Sequence, residues 1–138
     1  MLEKNNLYTA ELVQLSDSPR FEFILSNPDK VVKKNNPLCG DSVELFLKFD
    51  SLKIFEISFQ ATGCILCRAS ASLMTNLLYG KEISYARNLK NNIEKFLMHD
   101  SNELEKDLKV LEIVKNFPMR VKCVMLSWNL LEKGLEYE

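Results

Sequence analysis

The sequence lacks the features that draw a protein to nucleic acid or into a membrane. Its 18 basic and 19 acidic residues leave a formal net charge of −1, so no overall positive field is available to attract nucleic acid or an anionic membrane surface. The chain has no run of about 18 apolar residues, and residues 1–6 show no basic segment followed by an apolar core. We therefore predict a cytoplasmic protein without a transmembrane helix or signal peptide, whose partners are proteins or small ions.

Histidine is nearly absent, and the cysteines are not arranged in two close pairs. His99 is the single histidine, and its predicted place at the end of a helix favours a solvated side chain over a ligand. In a reducing cytosol, the four cysteines are better explained as metal ligands, reactive thiols or buried apolar residues than as disulfides. Cys39, Cys64 and Cys123 are scattered along the chain, so their spacing alone leaves both metal binding and simple burial open.

The hydrophobic pattern predicts one α+β domain over residues 1–138, in which a short antiparallel β-sheet packs against several helices. Apolar residues alternate along a hairpin at 43–49 and 55–60, and 21–37 is predicted as a loop that holds at most one edge strand. Helical spacing predicts helices at 7–16, 64–79, 83–97, 104–114 and 121–135. Trp128 falls on the apolar stripe of the last helix and is predicted to lie in the core. The small residues at 69–72 predict close packing of the second helix against the sheet.

Four side chains at the ends of these elements form a candidate ligand set. Cys64 and Cys123 lie near predicted helix starts, where unpaired N–H groups lower a thiol's pKa and favour the thiolate. Cys39 and Asp41 are separated by a glycine, which lets both side chains turn toward the same point. Three thiols and one carboxylate are a suitable set for tetrahedral zinc.

Three motifs resemble those of the iron–sulfur cluster assembly proteins of the IscU/NifU N-terminal family. They are residues 36–41 (NPLCGD), 62–65 (TGCI) with 69–75 (ASASLMT), and 117–123 (FPMRVKC) with 126–128 (LSW). Within that family the chain is most similar to the SufU branch, because Lys122 precedes the third cysteine where the IscU branch has histidine. A predicted helical insertion between Cys64 and Cys123 agrees with this assignment.

This resemblance implies a role in iron–sulfur cluster biogenesis. In the SufU manner, Cys39, Asp41, Cys64 and Cys123 would bind zinc, and the protein would accept persulfide sulfur from a SufS-like cysteine desulfurase and pass it to downstream assembly or acceptor proteins. Cys39 is the predicted sulfur acceptor, because a loop thiol leaves a metal with less distortion than a thiol fixed by a helix. Whether the chain is itself an enzyme stays open, since such a sulfurtransferase would carry out half of a two-protein reaction.

Two other functions compete with this one. In the IscU manner, Cys39, Cys64 and Cys123 would scaffold iron or a transient [2Fe-2S] cluster. A structural zinc or thiol domain that binds a protein partner without carrying sulfur is the alternative from another class.

The chain departs from the family pattern at two positions. Cys67 stands where the family usually has serine, and its spacing from Cys64 suits a thioredoxin-like redox pair, a small buried packing residue, or an auxiliary ligand or resolving thiol. Leu15 stands where many members have histidine, which implies altered contacts with the desulfurase.

Two cations flank the last motif cysteine. Arg120 and Lys122 lie on either side of Cys123 in the sequence, and their charges either favour its thiolate or are simply solvated.

Overall fold

A three-stranded antiparallel sheet and four α-helices form the fold, in a computed structural model that describes residues 7–37 and 40–136. The strands are β1 (Lys30–Asn36), β2 (Asp41–Asp50) and β3 (Lys53–Thr62), in the order β1-β2-β3. The α-helices are α1 (Ala10–Asp17), α2 (Ile65–Leu78), α3 (Ile83–Met98) and α4 (Val121–Gly134). This arrangement confirms the predicted α+β class.

The predicted hairpin is formed by β2 and β3. Their antiparallel register pairs Val43 with Ala61 and Leu45 with Phe59, and these four side chains are buried. Alternate residues of a strand point to the same face of a sheet, so the alternation in the sequence becomes one continuous apolar surface. The predicted edge strand is also present, since within the described residues β1 pairs only with β2.

The helices cover the apolar face of the sheet. α4 packs against β1 and β2, and α2 packs against β3. α2 also contacts α1 and α4, so its small residues serve helix–helix packing as well as the predicted contact with the sheet. At the contact with α4, the Ser70 hydroxyl donates to the Val124 carbonyl at 2.7 Å and accepts from Trp128 Nε1 at 3.0 Å. Trp128 is fully buried, as predicted.

The segment predicted as a helix at 104–114 forms a different type of helix. Lys106–Asn116 is a 3₁₀-helix, followed by a short 3₁₀ turn at Pro118–Arg120. The buried Leu108, Leu111 and Val114 recur every three residues, which places them on one face of a helix with about three residues per turn. None of the helices in the described part of the chain is both long enough and apolar enough to cross a membrane.

Candidate metal centre

Asp41 brings a carboxylate to the end of the sheet where β2 begins. Gly40 precedes it with a φ of +75°, a left-handed conformation that glycine adopts without strain. The Asp41 side chain is buried, and its Oδ1 atom accepts a 2.9 Å hydrogen bond from the backbone N–H of Cys64. This bond joins the start of β2 to the start of α2.

Gly63 makes that approach possible. Its φ is +134°, and a Cβ atom at this position would lie 2.9 Å from the Cα atom of Asp41. Side chains are not tolerated at so short a distance from a backbone atom, so the turn before α2 depends on glycine. The glycine before Cys64 in the second motif is thus required for steric reasons.

Cys64 is the N-cap residue of α2, which confirms its predicted place at a helix start. Its Sγ atom accepts a hydrogen bond from the Cys67 N–H at 3.4 Å and lies 3.7 Å from Asp41 Oδ2. The residue is partly exposed, so its thiol is accessible from solvent.

Cys123 completes a three-residue cluster from the first turn of α4. One ligand atom from each of Asp41, Cys64 and Cys123 lies within 4.8 Å of the other two. The Cys123 side chain is almost fully buried and hydrogen-bonds with the side chains of Asp41 and Cys64. Elements far apart in the sequence therefore bring two thiols and one carboxylate to one point.

The predicted lowering of the Cys123 pKa by its helix position is wrong. Burial raises its pKa well above the usual range for a thiol, and the nearby Cys64 and Asp41 raise it further. A second negative charge beside these groups is unfavourable in the absence of a cation. A bound divalent cation would reverse this effect and keep the thiols deprotonated.

The donor atoms fit a zinc ion. Zinc binds thiolate sulfur at about 2.3 Å and carboxylate oxygen at about 2.0–2.2 Å in a tetrahedron, so neighbouring ligand atoms lie about 3.5 Å apart. The 3.7 Å between Cys64 Sγ and Asp41 Oδ2 is close to this separation. Three of the four predicted ligands are thus brought together, and the fourth, Cys39, lies outside the described residues.

Of the two cations that flank Cys123, one contacts the cluster. Tyr8 raises the pKa of Arg120 most strongly, and a hydrogen bond with Cys123 raises it further. Lys122 is exposed instead and lines a surface groove with Met98 and Met125. The arginine therefore places a positive charge beside the thiols, whereas the lysine faces solvent.

The remaining predicted positions fall outside this cluster. His99 is the exposed C-cap residue of α3, which agrees with a solvated histidine. Cys67 is fully buried in the first turn of α2, and the strands formed by the described residues pair antiparallel, without the parallel unit that a thioredoxin-like fold requires. Leu15 is partly buried and packs against the core.

Sequence reasoning missed an ion pair behind the N-terminus of α2. Arg68 Nη1 donates to Glu22 Oε2 at 2.8 Å and to the Ala61 carbonyl at 2.7 Å, and Nη2 donates to the Ser16 carbonyl at 3.2 Å. The pair ties α1, β3 and α2 together beside the Gly63–Cys64 turn. Two charged residues in apolar surroundings could have revealed it. They are Arg68 near the start of α2 and Glu22 between Phe21 and Phe23.

Comparison with known proteins places this geometry in a family. The protein-family model described as "NifU-like N terminal domain" matches residues 7–137 of this chain. The zinc-dependent sulfurtransferase SufU of Bacillus subtilis is 36% identical, over 97% of this chain and 92% of that protein. The iron–sulfur cluster assembly scaffold protein IscU of Streptococcus pyogenes is 35% identical, over 96% of this chain and 84% of that protein.

A solved structure agrees with these relatives. It is that of a SufU protein from Fervidobacterium islandicum, proposed to be a scaffold for iron–sulfur cluster assembly in the SUF system. It superposes with a TM-score of 0.86 at 31% identity and covers 94% of this chain and 97% of that chain. The motifs, the fold and these similarities show that the chain belongs to the family of NifU-like N-terminal domains.

Proposed function

We propose that this protein acts in iron–sulfur cluster biogenesis as a zinc-bearing sulfur acceptor, in the cytoplasm. The observation that carries the proposal is the clustering of Asp41, Cys64 and Cys123, with ligand atoms within 4.8 Å of one another. The similarity to a zinc-dependent sulfurtransferase over nearly the whole chain supports it. Cys39 is proposed as the fourth ligand, because it belongs to the same motif as Asp41.

The zinc ion, when bound, would keep the thiols deprotonated and protected from oxidation. The proposed sulfur donor is the persulfide of a SufS-like cysteine desulfurase. The thiolate of Cys39 would attack the outer sulfur of that persulfide, form a new S–S bond and release the donor cysteine as a thiolate. Downstream assembly or acceptor proteins would then receive the sulfur.

Arg120 would stabilise the thiolates that this sulfur transfer needs. Its hydrogen bond with Cys123 places a fixed positive charge beside two thiols and a carboxylate. Such a charge lowers the cost of holding several negative groups together in a partly buried site.

Scaffolding of a transient [2Fe-2S] cluster is the second candidate. It is favoured by the 35% identity to a protein named as an iron–sulfur cluster assembly scaffold. Cys39, Cys64 and Cys123 would supply the thiolates for the cluster, which is then cargo of the protein. The two functions predict different metals in the purified protein.

Elemental analysis and absorption spectroscopy of anaerobically purified protein separate the candidates. The sulfur-acceptor function predicts near-stoichiometric zinc without a visible absorption band, and loss of the zinc in Asp41→Ala. Iron with inorganic sulfide and a coloured band would favour the scaffold instead. Incubation with desulfurase and cysteine should place a persulfide on the native chain and less on Cys39→Ser, and a native chain that takes up no sulfur would contradict the proposal.

A further inference from the structure

The Cys64–Cys67 pair gives this chain a dithiol, of which Cys64 belongs to the candidate metal centre and Cys67 lies outside it. Cys64 caps α2, and Cys67 lies three residues later in the first turn, with its N–H 3.4 Å from Cys64 Sγ. Residues three apart on a helix have Cα atoms about 5 Å apart, within the roughly 4.4–6.8 Å that a disulfide spans. A disulfide between them therefore needs side-chain rotation without movement of the backbone.

The two thiols differ in exposure. Cys64 is partly exposed, and Cys67 is fully buried. A sulfur atom delivered from a donor protein can therefore reach Cys64 but not Cys67. The buried thiol can therefore act only on sulfur that has first reached Cys64.

From this arrangement we infer that Cys67 is a resolving thiol, which converts sulfur carried on Cys64 into free sulfide. The inference rests on the proposed function, because it needs a persulfide on the protein. Sulfur taken up on Cys39 would reach Cys64 by a second exchange, in which the Cys64 thiolate attacks the outer sulfur and Cys39 leaves as a thiolate. Cys67 attacks the Sγ atom of the Cys64 persulfide, a Cys64–Cys67 disulfide forms, and the bond from Sγ to the outer sulfur breaks. The outer sulfur leaves with the electron pair and takes the proton of the Cys67 thiol, so the product is hydrosulfide.

The electron balance of this step matches a need of cluster assembly. Persulfide sulfur must gain two electrons before it becomes the sulfide of an iron–sulfur cluster. The two thiols supply these electrons as they are oxidised to the disulfide. A cellular thiol reductant would then restore the dithiol by exchange and make the step repeatable.

A purely structural role for Cys67 makes the opposite prediction. A small buried thiol packs the contact between α2 and its neighbours equally well without reacting. In that case its replacement leaves the fate of sulfur on Cys64 unchanged. Release of sulfide therefore distinguishes the two roles.

The experiment loads the full chain with sulfur by anaerobic incubation with glutathione persulfide, followed by removal of the donor. Released sulfide is trapped with monobromobimane, and disulfides are located by peptide mass spectrometry without reduction. The native chain is compared with Cys67→Ser and Cys67→Ala, whose zinc content and denaturant unfolding are measured as controls for the fold. A chemical donor makes the result independent of any desulfurase.

We expect the native chain to release sulfide and to gain a Cys64–Cys67 disulfide. Both variants should keep the added sulfur as persulfide, because they lack the attacking thiolate. Their rate of sulfide release should be at most about a tenth of the native rate. Equal sulfide release by a variant that has taken up sulfur would overturn the role of Cys67 alone. If the native chain and both variants take up no sulfur from this donor, the inference fails, whereas the proposed function is contradicted only if the desulfurase also fails to load the chain.

Discussion

The Oδ1 atom of Asp41 accepts a 2.9 Å hydrogen bond from the backbone N–H of Cys64. One candidate metal ligand therefore positions another, and the same carboxylate offers its second oxygen to the Cys64 thiol at 3.7 Å. Because α2 begins at this bond, binding of a metal by Asp41 is coupled to the junction between the start of β2 and the start of α2.

Replacement of Asp41 separates its two roles. Asp41→Ala removes the ligand and leaves the Cys64 N–H without its acceptor, so we expect about 100-fold weaker zinc binding and a loss of about 1–3 kcal/mol in the free energy of unfolding. Asp41→Asn keeps a carbonyl oxygen for the N–H, and should weaken zinc binding with a smaller loss of stability. Chelator competition and denaturant unfolding of the metal-free proteins measure the two effects. Equal loss of stability in both variants would show that the hydrogen bond contributes little.

Gly63 and Gly80 provide a matched pair of tests for steric closeness. Both have positive φ, but a Cβ at Gly63 would press against the Asp41 backbone, whereas no atom of the described part of the chain lies within 4 Å of a Cβ at Gly80. We expect Gly63→Ala to cost about 3 kcal/mol of stability and to weaken zinc binding, and Gly80→Ala to cost about 1 kcal/mol with zinc binding intact. Unfolding curves and zinc titrations of the two variants decide the point, and similar results for both would argue against the close approach at Gly63.

The raised pKa of Cys123 predicts how the stability of the metal-free protein depends on pH. An unfolded cysteine titrates at about pH 8.5, and burial beside Cys64 and Asp41 raises the pKa of Cys123 in the folded state. The unfolded chain thus loses this proton first as the pH rises. Stability is fully present below about pH 8.5 and falls above it by up to about 1.4 kcal/mol per pH unit.

Chemical unfolding of the chelator-treated protein between about pH 7 and 10 tests this expectation. In Cys123→Ser the contribution of one proton should disappear, so its stability should fall less steeply with pH than that of the native chain. Parallel curves for the two proteins would contradict the raised pKa.

The sequence predicted the elements and the clustering of Asp41, Cys64 and Cys123 better than the surroundings of these side chains. Asp41 and Cys64 could be placed at element ends because the alternating strands and the helix start are local patterns. The pKa of Cys123 was mispredicted because its helix position was considered without its burial and without Cys64 and Asp41, which only the fold brings near. The 3₁₀-helix at Lys106–Asn116 was missed, since spacings of three and four fit both helix types over a short segment.

The Glu22–Arg68 pair, 46 residues apart in sequence, could not be predicted from local pattern and gives the last test. Its side chains are 21% and 24% exposed, so removal of one partner leaves the other charge partly buried. We expect Arg68→Met to reduce stability by about 2–3 kcal/mol and Glu22→Gln by about 1–2 kcal/mol. The double variant should lose less than the sum, with a coupling of about 1 kcal/mol.

Acid gives an independent measure of the same pair. The hydrogen bond from Arg68 lowers the pKa of Glu22, so the pair's stabilisation is present above the unfolded value of about 4.3 and is lost as the pH falls through the folded pKa. Unfolding at about pH 7 and about pH 3.5 should therefore show a larger loss for the native chain than for Arg68→Met. The two charges act independently if the stability losses of the single variants add and if acid destabilises the native chain and Arg68→Met equally. In that case the backbone bonds from Arg68 to Ala61 and Ser16 would account for its whole effect on the start of α2.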